Sequence, residues 1–299
     1  MRNWLAGLCL LMCGALAQAD ITKVRAFDEI TDSGVLKVAM YENFAPYSFM
    51  ADGKPRGVDF DLANRLAEAL GLKVEVLWVT PGETLDDDLR NFIWKGHYLR
   101  PEILADVMMR VPYDREFSLK RNDVGELANE QVVMFGPYQR ERWQSAFDTR
   151  RLEELSSVGV LRFHPVGVEV DSVPSFYLSS VFNGSIAKML HHYPNAQAAF
   201  TAMQAGEVDA TMAMRGEIDW MLHNAADEHL KPADNAYPNM GKQAWDLGMA
   251  VHQSNRQLAY ALEGELEGLI KDGSVERIYS GYGLRYELPE LYREQSAQQ

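Results

Sequence analysis

The chain has 299 residues, of which 47% are hydrophobic and 24% charged, and its formal net charge is −14 at pH 7. This is the composition of a globular protein long enough for two domains, each with its own core. The acidic balance disfavours nucleic acid and anionic membrane as partners, since both need clustered positive charge, but it leaves room for a small anion, which sees local residues only.

In chain order, MRNWLAGLCLLMCGALAQAD comes first. Arg2, the apolar run Trp4 to Leu16 and the small residues Ala17 and Ala19 read as a cleavable signal peptide over 1–19, cut after Ala19. Both cysteines, Cys9 and Cys13, fall inside it, so the exported chain is expected to have neither disulfide nor thiol chemistry. Met12 is a poor residue to precede a lipidated cysteine, which argues against an anchor at Cys13. No later stretch approaches the roughly 18 consecutive apolar residues of a membrane helix.

GVLKVAM (34–40) alternates and is rich in branched residues, predicting a strand. A loop with Tyr41, Phe44, Tyr47 and Phe49 follows, then a hairpin turn at Asp52-Gly53. Leu62, Leu66, Leu70, Ala63 and Ala67 form one apolar face of a helix that Gly71 ends, and LKVEVLWV is the next strand. Aromatics at the carboxyl end of a first strand stand where open α/β sheets bind ligands, so Tyr41, Phe44 and Tyr47 are either core or a ligand wall. Asp59 and Asp61 suit a helix start, where carboxylates cap amides and complement the dipole.

The stretch GVLKVAMYENFAPYSFMADGKPRGVDFDLANRLAEALGLKVEV resembles the opening of type II periplasmic solute-binding proteins, bacterial extracellular solute-binding family 3. AAFTAMQAGEVDATMAM is similar to that family's second-domain helix and strand, and AWDLGMAVHQSNRQLAYALEGELEGLIKDGSVERIYSGYG to its closing segment. The resemblance implies an α/β fold of two lobes with hinge crossings near 132–138 and 244–251: lobe 1 over 20–135 plus 247–299, and lobe 2 inserted over 136–246. It further implies that the aromatic loop covers a ligand held between the lobes.

ILADVMMRVPYDREFS lacks the threonines that precede the carboxylate-gripping arginine of the amino-acid binders. DVMMRVPYDRE more nearly resembles a subgroup encoded with pyrroloquinoline-quinone alcohol dehydrogenases. Arg110, Tyr113 and Arg115 are the first-lobe ligand candidates, the arginines because a guanidinium fork suits a carboxylate or phosphate. In the second lobe Asp171, Ser172 and Ser175 match the family's ligand-binding turn, and Arg215, directly after a buried strand, is the counterpart of Arg110. Arg110 and Arg215 are expected to face each other across the cleft if the solute is anionic. Asp209 is expected to hold a turn.

No nucleophile elbow, zinc-protease helix or phosphate loop occurs, and His191 and His192, adjacent on a helix, would face different sides. The runs DDD (86–88) and EGELE (263–267) read as solvated helix faces. The expectation is therefore a monomeric, non-enzymatic periplasmic protein without cofactor or metal. It would capture a small polar or anionic solute for an inner-membrane ABC permease; the alternative is an accessory protein of a periplasmic quinoprotein dehydrogenase.

Overall fold

The structure, a computed structural model, is described for residues 24–297. The signal peptide lies outside the described residues. Helix α1 (Phe27–Ser33) stops at Gly34, whose φ of 67° lies in the left-handed region open to glycine, and β1 (Val35–Tyr41) begins directly after it. The short strands β2 (Phe49–Ala51) and β3 (Lys54–Arg56) close over Asp52 and Gly53, both at positive φ. Helix α2 (Val58–Ala69) buries Val58, Leu62, Ala63, Leu66 and Ala67, the face that leucine and alanine spacing predicts, and β4 (Lys73–Val79) returns parallel to β1.

After α3 (Leu85–Leu89), β5 (Val107–Pro112) pairs with the other side of β1, and the one-turn α4 (Arg115–Ser118) leads towards β6 (Val132–Asp148). The middle of the chain supplies β7 (Val166–Glu169), α5 (Val173–Gly184), β8 (Leu190–Tyr193), α6 (Ala196–Ala205), β9 (Ala210–Met214), α7 (Arg215–Ala225) and β10 (Leu230–Pro232). Strand β11 (Ala244–His252) then returns, followed by α8 (Arg256–Lys271), α9 (Ser274–Gly281) and α10 (Glu290–Ala297).

The strands run in the order β4-β1-β5-β11-β6-β9-β7-β8, with β10 added to β6. This is a two-lobe α/β fold in which one long strand serves both lobes. From Val132 to Arg142, β6 pairs with β11; from Trp143 to Phe147 it pairs with β9, and its end also pairs with β10. One core lies among α2, α8, α9 and β1, around Leu36, Leu62, Leu266 and Tyr279; another gathers Val158, Leu161, Val166, Leu178 and Met212. Each of these cores buries its own apolar set, and β6 runs from the ladder with β11 into the ladder with β9.

Two local expectations are corrected. His191 and His192 lie on strand β8, not on a helix, because their segment pairs in parallel with β7. Asp88 is buried, accepting hydrogen bonds from the Tyr41 hydroxyl at 2.8 Å and the Gly82 amide at 2.7 Å, so the 86–88 run is not a uniformly solvated face.

Candidate solute cleft between the lobes

The loop after β1 brings Asn43 and Phe44 opposite the end of β7, the start of α6 and the first turns of α7. Between them lies a chamber of about 360 Å3, lined also by Glu169, Asn195, Gln197, Glu217, Trp220 and Met221. The lining residues described for it include two carboxylates and no basic side chain.

Glu217 sits in the first turn of α7, where its carboxylate accepts the Met214 amide at 3.2 Å, an ordinary helix-start role. Burial pushes its pKa up to about 8; the Met214 hydrogen bond opposes this, while Glu169 and Glu141 add to it. Glu169 closes β7, and burial raises its carboxyl as well, against a stabilising contact from the Ala196 amide. Two carboxyls confined in one chamber repel when both are ionised, so the chamber favours either a proton or a cation. Phe44 is braced by Tyr47 (4.8 Å between rings) and Tyr41 (6.1 Å), and Trp220 by Phe49 and Tyr282, each at 5.9 Å. No group of three or more His, Cys, Asp or Glu side chains that could hold a metal occurs among the described residues.

Past Phe44, on the far side of its Tyr47 contact, is a buried polar network. Arg110 donates to Asp59 through Nε (2.7 Å) and Nη2 (3.1 Å), and to Gln139 through Nη2 (2.9 Å). Its guanidinium lies 3.4 Å from the Tyr47 ring centroid. Tyr138 donates to Asp59 (3.0 Å), Tyr279 to Gln139 (2.7 Å) and Tyr47 to Glu141 (2.8 Å).

Of the ten residues expected to wall the site, Phe44 alone lines this chamber. Tyr47 is fully buried behind it and packs on Gly216, where an added Cβ would come within 2.5 Å of the Tyr47 hydroxyl. Tyr41 turns to Asp88. Arg110 and Arg215 do not form a pair of free cations across the cleft. Arg110 is taken up by Asp59, and Arg215 by Glu287 (2.5 Å) and the Arg140 carbonyl (2.9 Å), because a buried guanidinium is stable only when paired.

Arg115 is exposed on α4, and Tyr113 is half-buried, with its amide donating to the Asp246 carbonyl at 2.9 Å. Asp171 is exposed at φ 56°, Ser172 caps α5 by accepting the Ser175 amide at 3.2 Å, and Ser175 meets His192 at 2.9 Å. The Asp209 carboxylate meets His164 at 2.8 Å and Arg151 at 3.4 Å, tying the turn before β9 to two other segments. Glu169 and Glu217 were missed. Glu217 stands two residues after Arg215 in MRGEID, and its only sequence signal is its place at a helix start beside the sheet's carboxyl edge.

The alternation of lobes, the shared strand and an interlobe chamber define the solute-binding class of two-lobe proteins. The chain belongs to the bacterial extracellular solute-binding proteins, family 3, whose family model matches residues 36–285. Among solved structures it is similar to an ancestral cationic amino acid solute-binding protein, with a TM-score of 0.66, 21% identity, and coverage of 86% of this chain and 98% of that one. It is also similar to a Streptococcus pneumoniae amino acid ABC transporter substrate-binding protein bound to L-arginine, at TM-score 0.59 and 21% identity, covering 85% of this chain and 97% of that one.

Curated relatives include a cyclohexadienyl dehydratase of Pseudomonas aeruginosa, 34% identical over 113 residues, 36% of this chain and 41% of the relative. A membrane-bound lytic murein transglycosylase F of Vibrio cholerae is 25% identical over 248 residues, 76% of this chain and 45% of the relative. The chain spans less than half the length of these curated relatives. The expectation of a non-enzymatic protein is corrected by them: both are named as enzymes, so membership of this family does not imply the absence of catalysis.

Proposed function

We propose that the chain is an exported binding protein whose interlobe chamber captures a small cationic solute and delivers it to an ABC permease. The observation that carries this reading is the chamber's chemistry: Glu169 and Glu217 for an ammonium or guanidinium head, with the faces of Phe44 and Trp220 beside them. Neighbours of the same fold, one a cationic amino acid solute-binding protein and one bound to L-arginine, support the reading. The anionic solute expected from Arg110 and Arg215 loses its basis, since both guanidinia already have carboxylate partners. On the ladder pattern we also propose that the lobes divide between Arg142 and Trp143, beyond the 135/136 division expected from sequence.

A thermal-shift panel tests this, because a ligand that binds only the folded state raises its apparent stability. Lysine, arginine, putrescine and choline are expected to raise Tm, with glutamate and citrate inert. Stabilisation by the anions alone would reverse the assignment. A protein that serves a periplasmic dehydrogenase instead would respond to none of them.

A second, catalytic reading is favoured by Glu217 itself. A carboxyl held protonated near neutral pH inside a chamber can donate its proton to a departing hydroxyl, which leaves as water, the role a dehydratase needs. The two readings require opposite states of Glu217. Cation affinity rises as it ionises, whereas acid-assisted turnover falls.

A further inference from the structure

We infer that Arg110 is a built-in occupant of a cation cage past Phe44, and that it determines which cations the cleft can admit. The residue is unusual in backbone as well as side chain. On the interior strand β5, β11 pairs Met249 with Met109 and Gly248 with Val111, so the ladder skips Arg110. This bulge holds Arg110 at φ 61°, the left-handed region that disfavours any residue with a Cβ. Bulges of this kind re-aim a side chain, and here the guanidinium is aimed into the protein.

What it meets is a receptor for a guanidinium. Asp59 supplies a carboxylate fork, Gln139 an amide oxygen and Tyr47 an aromatic face, while Tyr138 and Tyr279 fix the carboxylate and the amide from behind. These are the groups with which proteins bind free cations, supplied here for a tethered one. Stability alone gives poor reason for the arrangement. Buried ion pairs are often replaceable by apolar packing without loss, this one adds a disfavoured φ, and Nη1 has no hydrogen-bond partner in the protein.

The consequence is selectivity. With Asp59 neutralised and the Tyr47 face covered, no solute cation can enter the cage. Recognition is left to Glu169 and Glu217, so a cationic head is held at those carboxylates and does not reach Asp59. The inference rests on the cation reading of the chamber only for what the cleft admits; the cage is tested separately.

The test is Arg110→Gly in the full chain, because glycine accepts the positive φ and leaves a hole of the side chain's shape. The probe is ethylguanidinium chloride, with ethylurea as its neutral counterpart and sodium chloride as the salt control. The variant is expected to bind ethylguanidinium at least tenfold more tightly than the wild type by calorimetry, and to ignore ethylurea. A folded variant that binds ethylguanidinium no better than the wild type overturns the proposal. Since that variant strands Asp59 and can fail to fold, a second readout uses the wild type: the Arg110 Nε–H in a proton–nitrogen correlation spectrum, assigned by its loss in Arg110→Lys. A caged guanidinium keeps that proton for hours in D2O, and one that exchanges as fast as those of surface arginines overturns the cage.

Discussion

Arg110 and Asp59 form an ion pair shut away from water, so truncating either one leaves a buried charge without its partner. Arg110→Ala is expected to cost about 3–5 kcal/mol in urea denaturation. Glu217 makes a second residue-scale prediction. Its folded pKa of about 8 lies above the ordinary carboxyl range, so its contribution to stability is complete below about pH 4.5 and is lost as pH rises towards 8. Glu217→Gln should flatten that loss, gaining on the wild type above pH 8 by on the order of 1 kcal/mol, roughly 2–4 °C in Tm, once the water reaching the cleft is allowed for. At this scale the sequence made Arg110 conspicuous but could not say which carboxylate it meets. Asp59 stands 51 positions away and reads locally as a helix-start residue.

Elements were more legible, because their signals are periodic. The leucines of α2 and the glycine after α6 mark a helix face and a helix end from local spacing alone. The length of β6 was not legible. A strand that pairs first with β11 and then with β9 and β10 answers to two cores, and its 17 residues show no single alternation. Gly57, between the hairpin and α2, has φ 123°, and an added Cβ would lie 2.1 Å from the Tyr47 carbonyl oxygen. Gly57→Ala is therefore expected to lose about 1–3 kcal/mol from backbone strain alone, and more from the overlap, with the loss read by chemical denaturation.

Across the whole molecule, the segment after α9 straps itself to α7. Arg285 grips Asp219 on α7 at 2.6 Å, Glu287 holds Arg215 at 2.5 Å, and Trp220 rests against Tyr282 at 5.9 Å. Asp219→Ala should loosen this strap, lowering stability by on the order of 1–2 kcal/mol and raising the radius of gyration in solution scattering. An unchanged scattering profile would show that the strap does not control lobe closure. The two-lobe fold was readable because stretches near both ends and in the middle of the chain resemble the family whose model matches residues 36–285. The charge of the cleft was not, since its carboxylates come from the end of β7 and the start of α7, residues that no local pattern brings together.

The central claim, a cation held against Glu169 and Glu217, is tested most directly by calorimetry with the strongest cation of the panel at pH 6 and pH 8.5. Binding should release a proton at pH 6, because Glu217 must ionise to meet the cation. Affinity should then rise on the order of tenfold to a hundredfold by pH 8.5, and Glu217→Gln should abolish that rise. An affinity that falls or stays level as pH increases, or heat evolved only with anions, would contradict it.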